Sequence, residues 1–162
     1  MDHEEGETVK EKSADHYSEK RKKTGLELWM TLSQIYHIQA NAYGRFLQKW
    51  GISLPQYELL VQIERKQRLS QKELAAQLSV SKGNITQLLG RLEKLGYVTR
   101  EKEWKTKYVS LTEKGHALYA SIIPEQRVFL ASQFHTLSRK DQKALIKLLK
   151  NIKGASDEDT IK

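Results

Sequence analysis

The stretch Leu69-Ser-Gln-Lys-Glu-Leu-Ala-Ala-Gln-Leu-Ser-Val-Ser81-Lys-Gly-Asn-Ile-Thr-Gln-Leu-Leu-Gly-Arg-Leu-Glu-Lys-Leu-Gly-Tyr-Val98 writes two helix starts in succession, separated by a tight turn. Ser70 and Glu73 have the spacing of a capping box, in which the N-cap hydroxyl serves the N3 amide and the N3 carboxylate reaches back to the N-cap N–H. Leu69 and Leu74 stand at the N′ and N4 positions of a hydrophobic staple. Ser81 caps the second helix, Val80 and Ile85 repeat the staple, and Gly96 follows Leu95 where a left-handed residue ends a helix. Ser79 and Val80 alone separate Leu78 from that cap. A helix of about two turns, a very short turn and a longer second helix form a helix-turn-helix, which presents its second helix to the major groove of DNA.

Stepping 100° per residue from Ile85 puts Leu88, Leu89 and Leu92 on the buried side of the second helix. Gly83, Gln87, Gly90 and Lys94 fall opposite, flanked by Asn84, Thr86 and Arg91. Near the amino end, Ser81, Lys82, Asn84, Thr86 and Gln87 are placed to reach base edges or flanking phosphates. Asn and Gln pair bidentately with adenine, and a threonine methyl can touch thymine. Gly83 either permits close backbone approach or is a small residue tolerated in a first turn. Ser70 and Gln71 open the preceding helix, whose exposed amide groups suit a phosphate.

Beyond Gly96, Val98–Arg100 and Tyr108–Leu111 are short β-compatible runs that bracket a loop over residues 101–107, a β-hairpin wing. The loop offers Lys102, Lys105 and Lys107 to the DNA backbone or an adjacent minor groove. Trp104 has two readings, against sugar and phosphate or folded back on the wing base. The second is preferred because aromatic rings usually find apolar cover. From Arg65 to Lys107 there are eleven basic and four acidic side chains, a net +7 within a chain of net +8. Such a local excess around a helix-turn-helix is the footprint of phosphate binding with counterion release, against the plainer reading of a solvated basic face.

Outward again, Leu28, Leu32, Ile35, Tyr36, Gln39, Tyr43, Phe46 and Trp50 recur at helical spacing, so a long amphipathic helix should end at Gly51. Ser53-Leu-Pro-Gln56 then opens a helix with capping-box spacing, whose Tyr57, Leu60, Val61 and Ile63 face the core. Thr112 caps a helix carrying Leu118, Ile122, Val128, Phe129 and Phe134, with Pro124 predicting a kink or break near Ile123. Ser138-Arg-Lys-Asp141 caps a last helix with Leu145, Leu148, Leu149 and Ile152 on one face. The fold class is therefore mainly α with a small β-hairpin wing. A winged helix-turn-helix lobe spans 53–112, between flanking helices over 24–50 and 113–153, which the resemblance given below implies are dimerisation helices.

Residues 1–23 carry seven acidic and six basic side chains with almost no large apolar group, which predicts a mobile polar arm; residues 154–162 read as a disordered tail. A length of 162 residues suits one domain with extensions. The absence of cysteine excludes disulfides, thiolate metal sites and thiol redox sensing. No apolar run approaches the roughly 18 to 20 residues of a membrane span, and the amino terminus has no signal-peptide core, so a cytoplasmic location without membrane partners is expected.

Between about Thr24 and Lys153 the sequence resembles the MarR family of bacterial winged-helix repressors. The resemblance is strongest in Leu69-Ser-Gln-Lys-Glu-Leu-Ala, in Val80-Ser-Lys-Gly-Asn-Ile-Thr with Leu92-Glu-Lys-Leu-Gly-Tyr-Val98, and in Val109-Ser-Leu-Thr-Glu-Lys-Gly115. It implies a homodimer whose first and last helices intertwine, a palindromic operator in double-stranded DNA, and release by a ligand or a redox event. The family's wing commonly carries an Asp-Arg pair, whereas this loop has Lys105-Thr-Lys107. Lysine lacks the planar guanidinium fork, so this wing is expected to add affinity more than sequence choice. Without cysteine, the peroxide-sensing branch of the family is excluded.

The stripe from Leu28 to Trp50 would span roughly 33 Å at the helical rise per residue, longer than one small lobe needs, and this independently points to a partner subunit. Trp29, Tyr36 and Tyr43 on or near the stripe are candidate effector-binding residues for a small molecule, although aromatics at helical spacing are more often plain core. His37, His116 and His135 show no metal-ligand spacing, and no cofactor is expected. No activated nucleophile, phosphate-cradling glycine loop or paired-carboxylate constellation points to an enzyme. The competing function is a winged-helix interaction module whose positive surface binds an acidic protein partner.

Overall fold

The computed structural model describes residues 17–159, so most of the expected amino-terminal arm and the last three residues lie outside the described residues. Two compact units divide the chain, Met1–Tyr43 and Gly44–Lys162. The first contains most of α1 (Glu19–Leu47), which begins five residues before the expected boundary at Thr24. Ser18 explains the earlier start: its hydroxyl accepts from the Arg21 N–H at 3.3 Å, an N-cap, and Lys22 pairs with Glu19 at 2.8 Å across the first turn.

In the second unit a single 3₁₀ turn, Gln48–Trp50, finishes the helix, and Gly51 closes it with φ of 69°. Next come α2 (Leu54–Lys66), β1 (Leu69–Ser70), α3 (Gln71–Gln77) and α4 (Lys82–Lys94). The hairpin β2 (Val98–Glu103) and β3 (Thr106–Leu111) leads into α5 (Glu113–Gln133) and α6 (Arg139–Asp159). The caps expected at Ser53, Ser70, Ser81 and Thr112 all form, with both halves of the capping box made at Ser53 and Ser70. At α6, the Asp141 N–H donates to the Ser138 hydroxyl at 3.2 Å.

The strands differ from their expected bounds. Leu69 and Ser70, read as staple and cap, also pair with Val109 and Tyr108, so the sheet has three antiparallel strands in the order β1-β3-β2. The hairpin is longer too: Glu101, Lys102 and Glu103 pair with Tyr108, Lys107 and Thr106, which shrinks the expected seven-residue loop to a turn at Trp104 and Lys105. Charged residues of low strand propensity are held there because Arg68 reaches across to Glu103 and lies 3.9 Å from Glu101, with its guanidinium 4.0 Å from the Tyr108 ring centroid.

Two helices also depart from expectation. α5 runs through Pro124 without a break near Ile123. Ile122 just before the proline is fully buried and the Phe129 ring stacks on Phe46 at 4.5 Å just beyond it, so packing holds both sides of the missing hydrogen bond in one helix. α6 continues past Lys153 to Asp159, because Gly154 keeps a helical backbone and does not turn to positive φ.

The core lies between residues 47 and 122. Leu47, Leu59, Leu60, Ile63, Leu74, Ile85, Leu89, Leu92, Val109 and Ile122 are fully buried, joining α2, α3, α4 and the sheet. Val61, expected in this core, is only partly covered, while Leu59 takes a fully buried place. The corner from α4 to α5 is closely tied. The Thr112 hydroxyl donates to the Gly96 carbonyl at 2.6 Å, and Lys114 Nζ donates to the Leu95 carbonyl at 2.8 Å. Gly115 lies against the Tyr97 backbone, where a Cβ would collide with the Tyr97 carbonyl oxygen.

Candidate nucleic-acid interface

Ile85, Leu88, Leu89 and Leu92 bury one side of α4, and this fixes what its other side presents. Ser81, Lys82, Asn84, Thr86, Gln87, Arg91 and Lys94 are all exposed, as the helical period predicts. The Ser81 hydroxyl accepts from the Asn84 N–H at 3.2 Å, so it holds the amino end of the helix and leaves the Asn84 side chain outside. Thr86 is exposed, but its hydroxyl is engaged within the protein. Its hydroxyl donates to the Lys82 carbonyl at 2.8 Å and accepts from Gln71 Nε2 at 2.6 Å, so the methyl remains as its outward feature.

That Gln71–Thr86 bond links α3 to α4 above the packing of Leu74, Ile85 and Leu89. Ser70 is likewise occupied. Its N–H and its hydroxyl both donate to Glu73 Oε2, at 2.8 and 2.6 Å, and the residue is buried. Ser70 therefore acts as the cap of α3, and the capping box uses its own amide and that of Glu73, two of the donors at the start of the helix.

Ser70, Gln71, Lys82, Thr86, Lys105 and Lys107 line one open concavity between the starts of α3 and α4 and the wing. Lys72 joins them there, a residue the sequence reading passed over although its place in the first turn of α3 was a usable signal. Lys102 stands exposed on the same hairpin, directly opposite Lys107.

The local acids are all engaged within the protein. Glu93 pairs with Arg100, whose guanidinium holds the carboxyl below the usual carboxylate range; Glu73 is held low by hydrogen bonds from the Ser70 side chain and backbone. Glu101 and Glu103 belong to Arg68. Strand alternation sorts the hairpin's charge: Arg100, Lys102 and Lys107 share the face of buried Val98 and Val109, while Glu101 and Glu103 lie on the other with Tyr108. The surface left to solvent around α4 and the wing is thus positive in its free charges. The Arg68 and Arg100 clamps were beyond sequence reasoning, since Arg68 and Glu103 lie 35 positions apart.

Trp104 is 96% exposed, so it does not fold back on the wing base as expected. A two-residue turn places it at the apex, where no apolar neighbour is in reach. The candidate effector residues belong to α1: Trp29 and Tyr36 are exposed and Tyr43 is partly covered. His116 has Nδ1 2.7 Å from Glu64 Oε2, linking α5 to α2. Among the described residues no three His, Cys, Asp or Glu gather as a metal site, and no helix is long and apolar enough to cross a membrane.

A helix-turn-helix followed by a three-stranded sheet with a projecting hairpin defines a winged helix-turn-helix protein. A family model described as MarR family matches residues 50–103. Over 135 residues the chain is 36% identical to an HTH-type transcriptional regulator of Bacillus anthracis, covering 83% of this chain and 92% of that one. It is 31% identical over 112 residues to the HTH-type transcriptional regulator SarZ of Staphylococcus aureus (strain USA300), covering 67% and 74% of the two chains. A mutant MarR from E. coli, solved with operator DNA, superimposes with a TM-score of 0.72 at 22% identity over 78% of this chain and 93% of that one. The chain belongs to the MarR family of transcriptional regulators.

Proposed function

We propose that the protein is a repressor that binds a palindromic operator as a homodimer and is released by a small-molecule effector. The observation that carries this reading is the electrostatic sorting around α4: Lys82, Asn84, Gln87 and Arg91 are exposed beside the wing lysines, while Glu73, Glu93, Glu101 and Glu103 are all held by protein partners. A major groove supplies base edges for Asn84 and Gln87, and its phosphates supply partners for Lys82, Arg91, Lys94, Lys102, Lys105 and Lys107. That a MarR of the same fold from E. coli was solved with operator DNA supports the DNA-binding reading. Homodimerisation is supported by two exposed apolar faces, Leu28, Leu32 and Ile35 on α1 and Leu145, Leu148, Leu149 and Ile152 on α6. An effector is proposed to use the α1 aromatics Trp29, Tyr36 and Tyr43, which recur every seven residues on one helical face.

Selection of bound sequences from random duplex DNA tests the reading, and enrichment of a symmetric motif is expected. Arg91→Ala and Lys105→Ala should weaken all duplexes alike and flatten the salt dependence, each by about one unit of slope. Asn84→Ala and Gln87→Ala should change the ranking of sites, by about 1–3 kcal/mol at the affected base pair. Failure to enrich any motif, with tight binding to an acidic protein surface instead, would favour the interaction-module reading. Transcription from a promoter carrying the motif should fall when the protein is present and recover with an effector found by thermal-shift screening.

A further inference from the structure

Trp104 is costly to the folded chain in two ways. Its indole is almost wholly in water, so it adds no burial, and its backbone adopts φ of 55°, a region that bulky residues seldom enter and that glycine, asparagine or aspartate occupy easily. Lysines flank it in the hairpin. Lys105 follows it in the turn, and Lys102 faces Lys107 across the hairpin, a like-charge pair that weakens a strand pairing unless an anion lies between. Folding accounts for neither feature. Both suit a polyanion with an apolar slot.

We propose that Trp104 is a minor-groove wedge: the lysines take the phosphates on the two rims while the indole enters between sugar walls and partly unstacks one base step. The proposal rests on the DNA-binding reading above. The minor groove is narrow, lined by apolar sugar edges and bordered by phosphate, and side chains that enter it as wedges are apolar and kink the duplex. Position favours this site. Lys82 and Thr86 of α4 line the same concavity as Lys105 and Lys107, so a duplex held by α4 is within reach of the wing, and the proposal assigns the wing tip to the minor groove beside it. An anionic bilayer is the competing surface for an indole among lysines. It is disfavoured because Trp104 stands alone at the tip, without the contiguous apolar area that interfacial insertion uses.

The wedge restores to an arginine-free wing tip a sequence preference of a different kind. Pyrimidine–purine steps unstack most easily, so a TA or CA step at the flank is favoured over a stiff A-tract, with no hydrogen bond to any base. The selected operator is prepared with either flank, carrying 2-aminopurine at the contacted step, and titrated with wild type, Trp104→Gly and Lys105→Ala. For wild type we expect about tenfold tighter binding to the flexible flank and a rise in 2-aminopurine fluorescence. Trp104→Gly should lose both the preference and the fluorescence rise while keeping the central motif and the salt slope. Its thermal stability should equal or exceed that of wild type, which separates a lost wedge from a damaged fold. Lys105→Ala should reduce the salt slope and keep the flank preference. Trp104→Gly that discriminates flanks as wild type does, or a loss confined to binding of phosphatidylserine vesicles, would overturn the wedge while leaving the operator reading intact. Wild type that selects no motif would instead overturn that reading.

Discussion

Gly115 occupies a position where a methyl group has nowhere to go. A Cβ would strike the Tyr97 carbonyl oxygen, and backbone at both sides cannot yield as a flexible side chain would. Gly115→Ala should therefore destabilise the protein by at least about 3 kcal/mol, read as a lower urea midpoint at unchanged slope. The sequence showed this glycine as part of Val109-Ser-Leu-Thr-Glu-Lys-Gly115 but not its reason, because Tyr97 reaches it only through the sheet. The exposed residues of α4 were legible for the opposite cause: each follows from helical period and a buried Ile85. The hydroxyls of Ser70 and Thr86 are engaged by Glu73 and by Lys82 and Gln71, which their positions in the sequence do not show. Period shows where a side chain points and cannot show which neighbour has already claimed its polar atoms.

At the scale of elements, caps were the most legible feature, since each is a local arrangement of three or four residues. The hairpin was shortened in the reading because Glu and Lys are poor strand formers, and their reinforcement comes from Arg68, outside the hairpin. The Glu93–Arg100 pair, which ties α4 to β2, gives the elements a pH dependence. Arg100 lowers the carboxyl's pKa in the folded state, so the pair's contribution is present above the unfolded value of about 4.3 and is lost as pH falls through the lower folded value. Glu93→Gln should be less stable than wild type at pH 7, and the gap should close as the pH falls below about 4. Urea unfolding of both proteins across that range measures it. A constant gap would mean that the pair acts by packing alone.

For the whole molecule, the core between residues 47 and 122 contrasts with apolar faces left exposed on α1 and α6. A sequence shows that such faces exist but not how they are covered. In the proposed dimer they are buried, and Leu148→Glu, at a residue 59% exposed in the single chain, should shift sedimentation to the monomer without lowering its helicity. Because two lobes gripping one duplex gain from effective concentration, operator affinity should fall about 100-fold or more. A monomeric variant that keeps full affinity would remove the dimer from the mechanism.

The tied corner between α4 and α5 bears on how such a molecule could be switched. Lys114 on the Leu95 carbonyl, Thr112 on Gly96 and the Gly115 backbone pressed to Tyr97 tie the carboxy end of α4 to the start of α5. In the proposed dimer α4 is therefore expected to shift together with the start of α5. An effector of the proposed dimer would then work as on a pair of calipers: it would change the gap between two jaws, and an operator would be released when that gap no longer matches the helical repeat of DNA.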